Sequence, residues 1–308
     1  MADLILHHYD LSPFSEKVRL AFGLKGLDWR SVDIPIWPPR PDTVPLTAGY
    51  RRVPVLQVGA DVYCDTLLIL REIDRRFPEP SLYPDGSRAL TAALSYWWDA
   101  TTFLPAAKLT TSIIGDAIPE DFLRDRVAFM GEDFSRAASL NDLPQNRQRV
   151  RAQMGLLTDM LGDGRRFLLG NTLSAADLTA YHTMWFTKKN GGAEAEAMLP
   201  FEPLMPWMER IAAVGHGRRT DMSPTEALEV ARAAEPSPIG TFEDPASGLK
   251  AGDAVSILTD GGNDPIRGTL ARADADEIVI RTEGPRSGAV HVHFPRFGYS
   301  AVAAEARP

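Results

Sequence analysis

The segment comprising residues 51–66 constrains the fold of this chain more than any other. Its sequence, RRVPVLQVGADVYCDT, starts with an apolar, β-branched run at 53–58 that predicts a short strand. Turn residues at 59–61 separate that run from a second apolar pair, so the two strands are predicted to form a hairpin. Pro54 cannot donate to a strand ladder, so we place it at the entry of the first strand, where a cis peptide bond is possible.

A helix is predicted immediately after this hairpin. Leucine, isoleucine and phenylalanine residues recur at helical spacing over 67–77. Asp65 or Thr66 is then the N-cap, beside free amide groups and the positive end of the helix dipole. The strand, the hairpin and the helix N-terminus bring a polar pair and a proline-constrained backbone to one place, which predicts a small anion-binding corner.

These residues resemble the thioredoxin-like domain of the glutathione transferase superfamily. The resemblance rests on the Val53-Pro54 dipeptide, the hairpin and the acidic-plus-hydroxyl pair Asp65-Thr66. It implies that Val53, before a cis Pro54, pairs through its backbone with the cysteinyl part of glutathione. It also implies that Asp65 and Thr66 hold the γ-glutamyl part, the alternative being that they only cap the helix. Arg52 could meet the glycine carboxylate, although surface arginines usually face only water.

The order of the predicted elements agrees with this resemblance. Apolar patterns predict a strand over 4–9, a helix over 14–24 and a second strand over 29–34. With the hairpin and the helix after it, this makes the β-α-β then β-β-α order of the thioredoxin-like domain. The segment 35–47 contains five prolines, so we expect no regular helix there. Members of the family usually have a short helix with a glutathione-contacting residue at about this place.

Ser12 is the leading catalytic candidate. Pro13 suits the first turn of a helix, which puts Ser12 at or near the N-cap. A hydroxyl there can donate a hydrogen bond to a thiolate. The helix dipole helps to lower a thiol pKa from about 8.5, which makes glutathione a nucleophile. The alternative is that Ser12 only caps the helix, and Ser15 and Tyr9 are secondary candidates.

Residues 12–14, Ser-Pro-Phe, fall where omega-like members of the family carry Cys-Pro-Phe and where serine-type members carry their serine. The resemblance therefore implies a transferase. Thiol–disulfide chemistry is disfavoured because Cys64 is the only cysteine and no intrachain disulfide can form.

Composition narrows the functional classes. The single cysteine and the absence of a basic and apolar leader predict a reducing, cytoplasmic location. The net charge of −8 argues against nucleic acid or an anionic membrane as a partner. No apolar run approaches the ~20 residues that a membrane span needs.

The middle of the chain is predicted to be helical. The predicted helices cover 89–104, 120–140, 145–161, 175–187, 205–214 and 225–234. Ser174 and Asp177 form a capping box at the start of the fourth helix, in a motif that is also the most recognisable one of the family's helical domain. Its role is folding, so Asp177 is not a candidate site residue.

A hydrophobic pocket for a co-substrate is what the resemblance implies for the first of these helices. The residues concerned, with one from the N-terminal helix, are Phe14, Tyr96, Trp97 and Phe103. Aromatic residues at helical spacing form a core more often than a pocket, so both interpretations stay open.

The composition changes again near residue 236, where a small all-β region is predicted. Its apolar runs lie at 254–258, 266–271, 277–281, 289–294 and 299–302. Short strands with turn residues between them predict a small barrel, and we expect the SH3-like type. Acidic residues outnumber basic ones there, which does not support nucleic-acid binding.

Two histidines in this region raise the question of a metal. His291 and His293 share one face of a predicted strand, as a pair of ligands would. No third ligand stands nearby in sequence, and zinc sites usually need three or four. We therefore interpret them as structural or surface histidines and expect no metal.

The sequence thus predicts three domains of different class: a thioredoxin-like α/β domain (1–83), an all-helical glutathione-transferase domain (84–235) and a small SH3-like β-barrel (236–308). The predicted function is activation of the glutathione thiolate for attack on a small hydrophobic electrophile, with glutathione as substrate. The resemblance also implies a homodimer. The alternatives are a non-catalytic binding or assembly protein, which the proline-rich segment and the extra barrel favour, and a glutathione-dependent reductase or isomerase.

Overall fold

A computed structural model describes residues 3–240, 243–244, 247–260 and 266–304, which belong to two compact units. The unit that we name the sheet unit draws on residues 1–10, 28–69 and 218–308. The unit that we name the helical unit draws on residues 11–27 and 70–217. Each unit combines segments that are distant in sequence. The domain boundaries at 83 and 235 stay a prediction.

The elements have the following bounds. The strands are β1 (Ile5–His8), β2 (Asp28–Asp33), β3 (Val55–Val58), β4 (Asp61–Cys64), β5 (Arg218–Asp221), β6 (Glu243–Asp244), β7 (Leu249–Lys250), β8 (Ala254–Thr259), β9 (Ile266–Ala273), β10 (Glu277–Gly284), β11 (Gly288–Pro295) and β12 (Tyr299–Ala303). The α-helices are α1 (Pro13–Leu24), α2 (Val44–Thr47), α3 (Thr66–Arg76), α4 (Arg88–Ile114), α5 (Glu120–Met130), α6 (Arg136–Leu161), α7 (Ala175–Met198), α8 (Met205–Ala212) and α9 (Pro224–Arg232).

Ten strands of the sheet unit form one continuous sheet, in the order β12-β8-β9-β10-β11-β4-β3-β1-β2-β5. The C-terminal strands join it through β11, which runs parallel to β4. Val55 and Val62 of the predicted hairpin share one apolar core with Ile280, Val292 and Phe294 of the C-terminal region. The predicted β-rich C-terminal region is therefore present, and it extends the N-terminal sheet.

The five strands predicted beyond residue 236 are all present, whereas β5 was not predicted. β5 has the sequence Arg-Arg-Thr-Asp and is exposed along its whole length, so it lacks the apolar alternation from which strands are recognised. It pairs in parallel with β2, and Arg218 donates to the Asp28 carboxylate at 2.5 and 2.8 Å. Pairing with a neighbouring strand, rather than propensity, makes this segment extended.

The proline-rich segment 35–47 contains more regular structure than predicted, because its last residues form the four-residue helix α2. Pro45 is tolerated there because the first turn of a helix leaves amide groups unpaired in any case. The preceding loop is held by Arg40, whose guanidinium donates to the carbonyls of Pro35, Ile36 and Arg51 at 2.8, 2.7 and 2.6 Å.

The helical unit differs from the prediction in where its second helix ends. Gly131 ends α5 in a left-handed conformation with a φ of 71°, which favours glycine. Ser135 then caps α6 by accepting from the Ala138 amide at 3.3 Å, and α6 continues through Pro144, where a break was predicted. None of the helices in the described part of the chain is both long and apolar enough to cross a lipid bilayer.

Candidate functional site

The polar corner predicted from residues 51–66 is built in the sheet unit. The peptide bond between Val53 and Pro54 is cis, and Pro54 is buried immediately before β3. Val53 precedes the strand and is half-buried. Tyr9, the secondary candidate, directly follows β1 and is also half-buried. β3 pairs with both β1 and β4, which fixes the position of the dipeptide at the start of β3.

Asp65 and Thr66 lie where β4 ends and α3 begins. Asp65 has a left-handed backbone with a φ of 73°, which aspartate tolerates better than most residues. Its Oδ1 atom accepts from the Leu67 amide at 2.9 Å, so Asp65 caps α3. Thr66 is buried in the first helical turn. The predicted pair therefore stands at a helix N-terminus, where amide groups and the dipole favour an anion.

The second carboxylate oxygen of Asp65 is bound by the C-terminal region. The hydroxyl of Tyr299 in β12 donates to Asp65 Oδ2 at 3.1 Å and lies 3.0 Å from the hydroxyl of Tyr50. Burial raises the pKa of both tyrosines well above its ordinary value, so both hydroxyls stay protonated at neutral pH. Arg52 donates to the backbone carbonyl of Asp260. Two of the predicted glutathione ligands thus contact the β-rich region.

Ser12 caps α1 in the helical unit. Its Oγ atom accepts from the Ser15 amide at 3.2 Å, and Pro13 occupies the first helical position. A serine hydroxyl that accepts one hydrogen bond still has its own hydrogen to donate. The neighbouring Ser15 Oγ is buried and has no hydrogen-bond partner in the part of the chain that the structure describes. The geometry of Ser12 is therefore compatible with both capping and thiolate binding.

A buried charge cluster next to α1 was missed by sequence reasoning. Lys17 is 1% exposed and donates to Asp99 Oδ2 at 2.6 Å, while His182 Nε2 lies 2.9 Å from Asp99 Oδ1. Burial alone would raise the pKa of Asp99, but Lys17 and His182 outweigh it and hold that pKa below its ordinary value. Burial lowers the pKa of His182 to about 4, so this imidazole is neutral and donates to Asp99.

No local sequence motif predicts this cluster. Its residues come from α1, α4 and α7, at sequence separations of 82 and 83 positions. A lysine within an apolar helical face is the one available signal, because lysine is almost never fully buried unless it is paired.

The four aromatic residues predicted to form a pocket fall into one contacting pair and two separate positions. Phe14 and Phe103 contact each other edge to face, with ring centroids 4.8 Å apart. Trp97 and Trp98 line a cavity of about 120 Å³ whose other walls are almost entirely aliphatic. Tyr96 lies outside that cavity and is 39% exposed.

Both parts of the predicted resemblance are matched by family models. Residues 6–81 match the family described as glutathione S-transferase, N-terminal domain, and residues 120–210 match glutathione S-transferase, C-terminal domain. The FtsZ-localized protein A of Caulobacter vibrioides is 28% identical over 180 residues, which cover 57% of this chain and 73% of that protein.

Solved structures extend the likeness to the whole chain. A GST-like protein from Pseudomonas syringae is 36% identical with a TM-score of 0.81, covering 99% of this chain and 100% of that one. A glutathione S-transferase from Rhodospirillum rubrum is 24% identical with a TM-score of 0.52, covering 68% of this chain and 87% of that one, and it supports the fold alone. With two matched domains and one relative that is similar along its full length, this chain belongs to the glutathione S-transferase superfamily.

Proposed function

We propose that this chain is a serine-type glutathione transferase, which activates the thiolate of glutathione for attack on a small hydrophobic electrophile. The observation that carries the proposal is the position of Val53 and Pro54 at the start of β3, which pairs with the end of β4 and so lies beside the capped N-terminus of α3 with Asp65 and Thr66. Membership of the superfamily supports it, because the family's fold binds glutathione. We propose the cytoplasm as its location and a homodimer as its assembly, both by analogy with the family.

The proposed ligands match the groups of glutathione. The γ-glutamyl part carries an ammonium and a carboxylate: the Asp65 carboxylate suits the first, while Thr66 and the positive end of the α3 dipole suit the second. The backbone of Val53 pairs with the cysteinyl part. Arg52 is the candidate for the glycine carboxylate, since a guanidinium binds carboxylates well.

The proposed role of Ser12 rests on α1 alone. The glutathione thiol releases its proton to solvent, and the Ser12 hydroxyl and the dipole of α1 stabilise the thiolate. Its sulfur then forms a bond to the electrophilic carbon while the bond from that carbon to a leaving group breaks, and the leaving group departs with the electron pair. The protein's own thiol is unsuited to this chemistry, because Cys64 is fully buried and burial raises its pKa well above the ordinary value.

Replacement of Asp65 tests glutathione binding. We expect Asp65→Ala to weaken the affinity at least about tenfold, or about 1.4 kcal/mol, because the ammonium loses its partner. Isothermal titration calorimetry of the full chain with glutathione measures this effect. Tyr299→Phe is the matched control, because it removes the hydroxyl that donates to Asp65 but keeps the Asp65 carboxylate. The affinity of this variant for glutathione should equal or exceed that of the wild type. Equal affinity of Asp65→Ala and wild type would contradict the proposed ligand set.

Replacement of Ser12 tests thiolate activation separately. In Ser12→Ala, the thiol pKa of bound glutathione should return towards about 8.5, which pH titration of the ultraviolet thiolate absorbance measures. Ser12→Thr keeps the hydroxyl and should keep a lowered pKa, and Ser15→Ala controls for loss of a neighbouring buried hydroxyl. If the thiol pKa of bound glutathione is unchanged in Ser12→Ala, Ser12 acts only as a helix cap.

A second candidate function is a non-catalytic binding or assembly protein. The hydrogen bond from Tyr299 favours it, because the C-terminal region already engages the carboxylate proposed for glutathione. Similarity to a protein named FtsZ-localized protein A also supports this second candidate. If neither the wild type nor Tyr299→Phe binds glutathione at millimolar concentration, this second function is the one to pursue.

A further inference from the structure

Three potential metal ligands lie together on the sheet. His291 and His293 are two residues apart on β11, so their side chains leave the same face. β4 is the parallel neighbour of β11, and Asp61 is paired in register with His291. Partners in register share a face, which brings the carboxylate to the imidazoles. The third ligand that the sequence lacked nearby is thus supplied from 232 residues away.

The distances suit a common ligand. The Asp61 Oδ1 atom lies 3.3 Å from His293 Nε2 and 3.8 Å from His291 Nδ1, and one ligand atom of each residue falls within 4.8 Å of the others. Ligand atoms around a tetrahedral zinc ion are about 3.4 Å apart, given bonds of about 2.1 Å. All three residues are more than nine-tenths buried.

The surroundings of the two imidazoles suit a cation. His291 Nδ1 is buried with no hydrogen-bond partner in the described part of the chain. His293 faces a carboxylate oxygen on each side, with Nδ1 at 3.5 Å from Glu277 and Nε2 at 3.3 Å from Asp61. A neutral imidazole has one N–H, so both contacts are satisfied either by a protonated His293 or by a metal ion between His293 Nε2 and Asp61.

Outer contacts orient His293 and Asp61. Glu277 stands beside the far nitrogen of His293, as in the carboxylate–histidine pairs that support metal sites. The Ser237 hydroxyl donates to Asp61 Oδ2 at 2.5 Å, and the Ser237 amide lies 3.3 Å from Oδ1 and 3.2 Å from Oδ2, so these contacts hold the carboxylate in place. Tyr63 stacks on the His293 ring with centroids 4.4 Å apart.

We propose that Asp61, His291 and His293 bind one divalent transition-metal ion, with Zn²⁺ as the best match. Two imidazoles and one carboxylate suit Zn²⁺ and related ions better than Mg²⁺ or Ca²⁺, which prefer oxygen. Three protein ligands leave a fourth position for water. The ion would join β4 to β11, and so fasten the C-terminal β-rich region to the N-terminal strands. None of these three residues belongs to the proposed glutathione site.

Metal analysis of the full chain tests the proposal. We expect about one zinc ion per chain by mass spectrometry after expression in zinc-supplemented medium. Cobalt(II) added to chelator-treated protein should give the intense visible bands of a four-coordinate site. His291→Gln and Asp61→Asn should lower the zinc affinity by roughly a hundredfold or more, whereas Ser237→Ala should lower it by about tenfold. His216→Gln is the matched control, because this histidine lies outside the cluster, and its affinity should not change.

The wild type alone decides the outcome if the variants fail to fold. Saturable binding of zinc that raises its melting temperature, reversed by a chelator and absent with Mg²⁺, supports the site. A metal-free protein that shows neither cobalt bands nor a shift in melting temperature with zinc overturns the proposal. In that case hydrogen bonds, and not a metal ion, join the histidines of this cluster to the Asp61 carboxylate.

Discussion

Replacing Asp177 with alanine should lower the free energy of unfolding by about 3–5 kcal/mol. Asp177 is fully buried, and its Oδ1 atom accepts from the Leu168 amide at 2.8 Å and from the Trp207 indole at 2.9 Å. Its Oδ2 atom accepts from the amide and the hydroxyl of Ser174 at 3.0 and 2.7 Å. The variant leaves these four donors buried without an acceptor, at about 1–3 kcal/mol each. The expected loss lies at the low end of their sum, because the variant also removes the cost of burying the Asp177 carboxylate charge.

Urea unfolding followed by circular dichroism measures this loss. Glu226→Ala is the matched control, because Glu226 forms the same kind of capping box with Ser223 in α9 but is exposed. Water can replace the lost partner there, so the control should lose much less stability. Equal losses in the two variants would show that burial of Asp177 is not the source of its effect.

Replacing Asp99 with asparagine should cost about 3 kcal/mol of unfolding free energy, because it removes the carboxylate charge that lies 2.6 Å from the buried Lys17 ammonium. The amide can still accept from His182, so the change isolates the interaction between Lys17 and Asp99. Breaking a buried charge pair costs about 3–5 kcal/mol. We expect a loss at the low end of this range, because the Asp99 side chain is 24% exposed and water partly screens the Lys17 ammonium.

A double-mutant cycle checks this explanation. Lys17→Met removes the buried charge, so Lys17→Met combined with Asp99→Asn should recover much of the stability that Asp99→Asn loses. The same urea titrations measure all four proteins. Additive losses would contradict a direct charge interaction between the two residues.

Local patterns were sufficient for most of the fold. The hairpin at 53–64, the helix after it and the C-terminal strands are each marked by apolar periodicity and turn residues, and all are present. The failures have specific causes. β5 is extended only because β2 pairs with it, and α6 continues through Pro144 because the tertiary structure outweighs the cost of a proline.

In the candidate sites, too, local arrangements could be predicted from the sequence and long-range contacts could not. The pair Asp65-Thr66 could be found because both residues follow a strand and begin a helix, a local arrangement. The contact from Tyr299, the Lys17–Asp99 pair and the histidine–aspartate cluster could not, since each joins residues that are brought together only by long-range pairing. Sequence patterns predict helices and strands well, but contacts between them depend on the register in which the elements meet.

The continuous sheet also restricts how copies of this chain can associate. A strand with an open edge recruits other chains, and β4 would have such an edge if β11 did not pair with it. The terminal strand β5 presents Arg218, Arg219 and Asp221 to solvent, and charged side chains discourage the addition of a further strand. Within residues 3–240, 243–244, 247–260 and 266–304, strand addition between copies is therefore closed at β4 and disfavoured at β5. A fibre-like contact through this part of the sheet would start at β12.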